Sequence, residues 1–257
     1  MTPALTDHLL ALEKDAYKKA TRHEFLEKVG KHTIAPQHLR AWIEQDRGYT
    51  SGYTRMMGLM MSRLALFNDV RDYGDNDPNY SEQHAQRTMK LLSFAVSNVF
   101  RECQMFTDLL SRPAYRALPA APLQPWTLRY VDFHQKVART AGYDLGEALV
   151  LLWAMERVFL DAWRHAKAVQ AEHWSPEARS THDGNEEQAS HHDTIGELID
   201  NWTIDEFDEF VAECAALVNH LDTSDPRRLQ SLEAVYRETL ALEVKFWDMA
   251  FESVQDQ

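Results

Sequence analysis

The chain has 257 residues, 44% hydrophobic and 26% charged, enough to bury one sizeable core without disulfide or metal staples. A formal net charge of −13 argues against a nucleic-acid partner, because phosphates would be repelled rather than neutralised. Cys103 and Cys214 lie outside any CxxC spacing and read as free thiols of a reducing compartment. The first residues lack a basic region followed by an apolar run, and no apolar stretch reaches the roughly eighteen residues a membrane span needs. A single cytoplasmic domain over residues 1–257, with no membrane contact, is expected.

Nine Gly and nine Pro bunch between stretches whose apolar residues recur at helical spacing, which predicts an all-α protein. The first stretch carries Leu9, Leu10, Leu12, Tyr17, Phe25, Leu26 and Val29 and weakens at Gly30. Pro36 opens a second helix running past Leu66, with Leu39, Trp42, Ile43, Tyr49, Tyr53, Met56 and Met60 inward. A polar loop over 71–81 precedes a third helix from Glu82 to about Leu110. Four prolines between Pro113 and Pro125 predict an irregular crossover.

The helical period resumes over Trp126 to Ala141 and breaks at Gly142, after which Asp144 is placed to cap a helix through Phe159 towards Val169. Glu172 to His192, the longest polar stretch, with His173, His182, His191 and His192, predicts a mobile solvated loop. Asp193 or Thr194 then starts a short helix ending near Trp202. Thr203 with Glu206 forms a capping-box pattern for a helix through Leu221, and Ser224-Asp225-Pro226 opens the last helix.

Three of these helices carry a carboxylate among bulky apolar side chains, which costs free energy unless the acid is paired or used. Asp46 lies four residues after Trp42 and three before Tyr49, although a surface carboxylate pairing Arg47 or Arg55 would show the same spacing. Glu243 sits on a stripe with Leu240, Phe246 and Trp247, so it either snorkels at the margin or points into a cavity. Glu156, among Leu152, Trp153, Phe159 and Leu160, is the strongest candidate for a buried functional acid. Asp161 and His165, four apart, have the spacing of two metal ligands, but two ligands do not make a site, and the Glu-x-x-His pairs of di-iron bundles are absent.

Taken together, the motifs resemble the TenA/thiaminase II family. His23-Glu24-Phe25-Leu26 looks like the family's first-helix His-x-Phe-Leu element, and Gln45-Asp46 with Tyr49 like its next. Glu147 to Phe159 aligns without a gap with the family's central helix, placing Met155 at the nucleophilic cysteine and Phe159 at a site tyrosine. Leu198-Ile199-Asp200-Asn201-Trp202 resembles a Trp-Ile-x-x-Tyr element, with Trp202 in place of its tyrosine. Glu243-x-x-Phe246-Trp247 resembles the closing motif, and Tyr130 is the counterpart of another pocket tyrosine.

The resemblance implies a haem-oxygenase-like helical bundle, without implying haem, and a homo-oligomer. It implies that Asp46 and Glu243 hold an aminopyrimidine ring, lined by Tyr49, Tyr130, Met155, Phe159, Trp202 and Phe246. A thioether cannot form the covalent adduct of the cysteine branch. The resemblance therefore points to the cysteine-lacking branch, which hydrolyses amino- or formylamino-pyrimidine breakdown products of thiamin. There Glu156 would handle the proton, with Asp46 and Glu243 completing the catalytic set and no metal or cofactor. Two alternatives are an inert aminopyrimidine-binding protein and a metal-dependent oxidase built on Asp161 and His165.

Overall fold

The computed structural model describes residues 3–66, 81–142, 144–174 and 185–252. All regular structure among them is α-helical: α1 Leu5–Leu12, α2 Lys14–Thr21, α3 Glu24–Gly30, α4 Pro36–Met61, α5 Glu82–Leu110, α6 Pro125–Thr140, α7 Gly146–His173, α8 Glu186–Asn201, α9 Asp205–Val218 and α10 Pro226–Glu252. None of these helices is long and apolar enough to cross a membrane.

The bundle is organised around α7, whose run Ala148 to Met155 is buried on every face, as expected of a helix surrounded by others. It packs against α2, α3, α6, α8, α9 and α10, while α4 packs against α5, α6 and α10. Between α7, α4 and α10 lies an aromatic core. The Trp42 ring meets Trp163, Trp202 and Trp247 at 5.4, 5.9 and 5.9 Å, and Phe159 stacks on Trp247 at 5.5 Å. Such pairs add about 0.5–1.5 kcal/mol each beyond the area they bury.

The first predicted helix is three. Glu13 and Arg22 leave helical geometry, although neither is a residue that breaks helices, so tertiary packing makes the breaks. His23 caps α3 by accepting from the Phe25 N–H and pairs its Nε2 with Asp248 on α10, while Phe25 stacks on Trp247. The first family-like element thus serves to dock α3 on α10. Close docking of α3 on α7 also requires Gly30: an added Cβ would lie 2.5 Å from the Ala166 carbonyl oxygen and 2.7 Å from Val169 Cβ. Gly30→Ala should destabilise the protein by about 1–3 kcal/mol, measured by urea denaturation, because backbone blocks the intruding methyl.

Other boundaries also differ from the expectation. The second helix ends at Met61, short of Leu66, and the predicted loop over 71–81 lies outside the described residues except Ser81, whose hydroxyl accepts the His84 N–H as the cap of α5. The predicted 172–192 loop is helical at both ends. Within it, α7 continues to His173, α8 starts at Glu186 rather than at Asp193, and 175–184 lie outside the described residues. Asn185 caps α8 by accepting from the Glu187 and Gln188 N–H groups. His191 is buried between the Tyr115 hydroxyl and the Ile34 carbonyl, both at 2.8 Å, rather than solvated. The Thr203/Glu206 capping box does not form; the Thr203 hydroxyl donates to the Ile199 carbonyl, and Glu206 pairs with Arg101.

The proline-rich crossover is held by α4. Gln45 donates to the Pro122 carbonyl at 2.9 Å and accepts from Gln124 N–H at 2.8 Å and Thr127 Oγ1 at 2.6 Å. Glu44 accepts from Ala121 N–H and pairs with Arg40. Glu44 and Gln45 are therefore structural anchors, leaving Asp46 to face inward.

Candidate active site

A cavity of about 580 Å³, open space at its mouth included, lies between α4, α5, α6, α7 and α10. Asp46, Tyr49, Thr50 and Tyr53 face it from successive turns of α4, because spacings of three and four bring residues onto one helical face. Met155, Glu156 and Phe159 enter from α7, Glu243 and Phe246 from α10, Tyr130 from α6, and Trp202 from the end of α8. All nine residues assigned to the site from the sequence line this one cavity.

The wall contains four carboxyls, Asp46, Glu102, Glu156 and Glu243, and neither Lys, Arg nor His. Burial raises the pKa of all four. Glu156 and Glu243 reach about 8 and Glu102 about 7, while Asp46 is raised well above the usual carboxylate range by burial and then by its acidic neighbours Glu102, Glu243 and Glu156. Four acids this close cannot all ionise without a cation, so they titrate as a coupled set. Asp46 is only 5% exposed and forms no ion pair with Arg47 or Arg55 among the described residues. That disposes of the surface reading of Asp46.

Two tyrosines hold two of the acids. The Tyr130 hydroxyl donates to Glu243 Oε1 at 2.6 Å and the Tyr53 hydroxyl to Glu156 Oε1 at 2.7 Å. Glu243 Oε2 is buried with no hydrogen-bond partner, a position that normally costs free energy. Met155 is 3% exposed, and its sulfur accepts the Tyr49 hydroxyl at 3.1 Å. Glu102 Oε1 takes the Trp202 indole N–H at 2.8 Å, so the bulkier replacement of the family tyrosine finds its own acid.

Neither cysteine lines the cavity. Cys103 lies behind the wall and donates to Thr50 Oγ1 at 3.2 Å, whereas Cys214 is buried, where desolvation and then Glu156 push its thiol well above the usual range. Asp161 accepts from Tyr17 at 2.5 Å and pairs with Arg157, and His165 lies 2.7 Å from Glu27. The two predicted metal ligands are thus engaged in separate pairs, and among the described residues no three His, Cys, Asp or Glu side chains converge as a metal site.

Glu102, Tyr53, Thr50 and Asn98 were not assigned to the site from the sequence. Tyr53 follows Asp46 by seven residues and Tyr49 by four, so helical spacing alone could have found it. Glu102 follows Ala95 by seven residues and Val99 by three, so the same helical spacing places it on the inward face of α5.

The chain matches the TENA/THI-4/PQQC family over residues 155–253. Among solved structures, a TenA homologue from Pyrococcus furiosus superposes with a TM-score of 0.73 at 17% identity, covering 96% of this chain and 99% of that one. A domain of unknown function with a heme oxygenase-like fold from Shewanella denitrificans superposes with a TM-score of 0.51 at 12% identity, covering 98% of this chain and 94% of that one. A curated protein of Fusarium pseudograminearum named "Probable transcription factor" is 23% identical over 237 residues, 85% of this chain. The chain spans 45% of the length of that relative. Over nearly its whole length the chain thus has the fold of TenA homologues, a haem-oxygenase-like helical bundle, and the family match covers residues 155–253 of it.

Proposed function

We propose that the cavity is a cysteine-free, cofactor-independent hydrolase site for aminopyrimidines of the amino- or formylamino-hydroxymethylpyrimidine type, breakdown products of thiamin. The observation that carries this reading is the cavity wall itself, which sets four carboxyls against aromatic faces with no basic side chain. Such a wall selects a flat ring rich in N–H donors and repels phosphate. Asp46 accepts from the exocyclic amine, and Glu243, protonated at neutral pH like Glu156, donates to the ring nitrogen, hydrogen bonds of about 0.5–1.5 kcal/mol each. The unpartnered Glu243 Oε2 is the atom such a ligand would satisfy.

Glu156 supplies the proton. With a pKa of about 8 it is mostly protonated at neutral pH, as a general acid must be, and Tyr53 fixes its orientation. Water adds to the carbon bearing the leaving amine, the C–N bond breaks with its electron pair on nitrogen, and the Glu156 proton lets nitrogen depart as ammonia. The water proton then restores Glu156. From the aminomethyl compound the products are the hydroxymethylpyrimidine and ammonia; from the formylaminomethyl compound water adds instead to the formyl carbon, and the products are formate and the aminomethylpyrimidine.

The test is ammonia and formate release from the aminomethyl- and formylaminomethyl-pyrimidines. Stoichiometric release of either supports the reading. Thermal stabilisation by both compounds with no release over hours contradicts it and favours a binding protein that keeps the clamp of Asp46 and Glu243. Met155, which stands where the resemblance places a nucleophile, is the observation that favours this second reading.

A further inference from the structure

The acidic cavity does not end the accessible space. A second chamber of about 710 Å³, its open mouth included, adjoins it, and Asn98, Glu102 and Trp202 line both. These three residues stand as a partition between the two, with the Trp202 indole N–H bound to Glu102 Oε1 at 2.8 Å. On its far side the character of the wall changes. Phe94, Met105, Ile204 and Phe207 offer apolar surface, and Ile204 is 45% exposed. Arg101 and Glu206 form an ion pair at 3.0 Å on the same wall and Glu197 pairs with Arg112, so among the described residues Glu102 is the acid of this wall without an ion pair.

Resting on the aminopyrimidine reading of the inner cavity, we propose that this outer chamber is a second compartment of the ligand site. Its ligand is an N-substituted aminomethylpyrimidine whose ring lies in the inner cavity, whose protonated linking nitrogen is held by Glu102 at the partition, and whose apolar substituent lies against Phe94, Ile204 and Phe207. A primary amine uses only the inner half. Hydrolysis of the substituted ligand balances without an added reagent. Water replaces the amine at the ring-bearing carbon, the C–N pair goes to nitrogen, and the substituent leaves through the outer chamber as its ammonium ion.

The partition explains why Glu102 is placed where it is. Glu243, Asp46 and Glu156 suffice for the ring and its leaving nitrogen. Beyond the hydrogen bond it accepts from Trp202, a fourth acid adds repulsion to an empty cavity unless a positive charge comes to rest at that end. An incoming substituent would displace Trp202 from its hydrogen bond or slide beside it, leaving Glu102 as the counter-ion.

The test measures equilibrium binding by calorimetry on Glu156→Gln, so that ligand is not consumed, using three probes: the primary aminomethylpyrimidine, its N-benzyl derivative and the uncharged N-benzoyl amide. The N-benzyl amine should bind about ten-fold tighter than the primary amine, since its ring leaves water. Adding Ile204→Trp, which fills the chamber from its solvent-facing edge, should erase that advantage while leaving the primary amine within about two-fold. Adding Glu102→Gln, which keeps an acceptor for Trp202, should weaken the benzyl amine about ten-fold and the neutral amide less than about two-fold. Equal affinities of primary and benzyl amines, or indifference to Ile204→Trp, would overturn the compartment. Equal losses of amine and amide on Glu102→Gln would overturn the role of Glu102. Failure of all three probes to bind would instead overturn the aminopyrimidine reading on which the proposal rests.

Discussion

Replacing Glu156 with glutamine is expected to lower kcat for aminopyrimidine hydrolysis by about 10²–10⁴-fold while changing ligand affinity by less than about ten-fold. Glutamine keeps the volume of the side chain and the acceptor for the Tyr53 hydroxyl, 2.7 Å away, but has no proton to give the leaving nitrogen. The same measurement on Tyr53→Phe should show a smaller loss, about ten-fold, together with a shift of the upper limb of the pH–rate profile to higher pH. The sign follows from the hydrogen bond, because the Tyr53 hydroxyl stabilises the ionised carboxylate and so lowers the Glu156 pKa; removing it raises that pKa further. A Glu156→Gln variant with unimpaired kcat would move the acid role to Glu102 or Glu243, the other carboxyls in the cavity.

Stability should fall as the pH rises from about 5 to about 8.5. Glu156 and Glu243 have folded pKa values near 8, against about 4.5 when unfolded, so between those values the folded chain binds more protons than the unfolded one. Their contribution is complete below about pH 4.5 and is lost as the pH rises through 8. Glu102, at about 7, adds to the same trend. Glu243→Gln leaves the Tyr130 hydroxyl an acceptor and removes the charge, so at pH 9 it should be more stable than wild type by about 2 kcal/mol or more. That corresponds to a rise in Tm of about 4–8 °C, with the difference vanishing near pH 5. Parallel Tm-against-pH curves for the two proteins would mean that Glu243 is already paired in the folded state.

How much of this was legible in the sequence depends on which force placed each residue. The site was readable because its residues sit on long helices at spacings of three, four and seven, where one turn fixes the next; Asp46, Tyr49, Met155, Glu156, Phe159, Glu243 and Phe246 all follow from periodicity combined with the resemblance. Glu102 shares the inward face of α5 with Ala95, Val99 and Phe106 at spacings of four and three, but α5 carries no family-like element to single it out. The breaks at Glu13 and Arg22 have no local signal, since packing on α7 and α10 and not local propensity makes them. The start of α8 did have a signal. Asn185 before Glu186 and Glu187 is a capping pattern, but it was outweighed by the high polarity of the segment. In Glu44-Gln45-Asp46 the sequence showed three polar residues together, and only the crossover explains why two of them face Pro122 and Ala121 while the third faces the ligand cavity.

The central claim is C–N hydrolysis without a cysteine, and the most direct measurement is ammonia release from the aminomethylpyrimidine by the double variant Cys103→Ser, Cys214→Ala. Serine preserves a donor to Thr50, and Cys214 is buried in the core without lining the cavity. The account predicts one ammonia per hydroxymethylpyrimidine formed, at a kcat within about two-fold of wild type, since neither thiol touches the ligand. Turnover by wild type that disappears in the double variant would show that a thiol does the chemistry and would contradict the account.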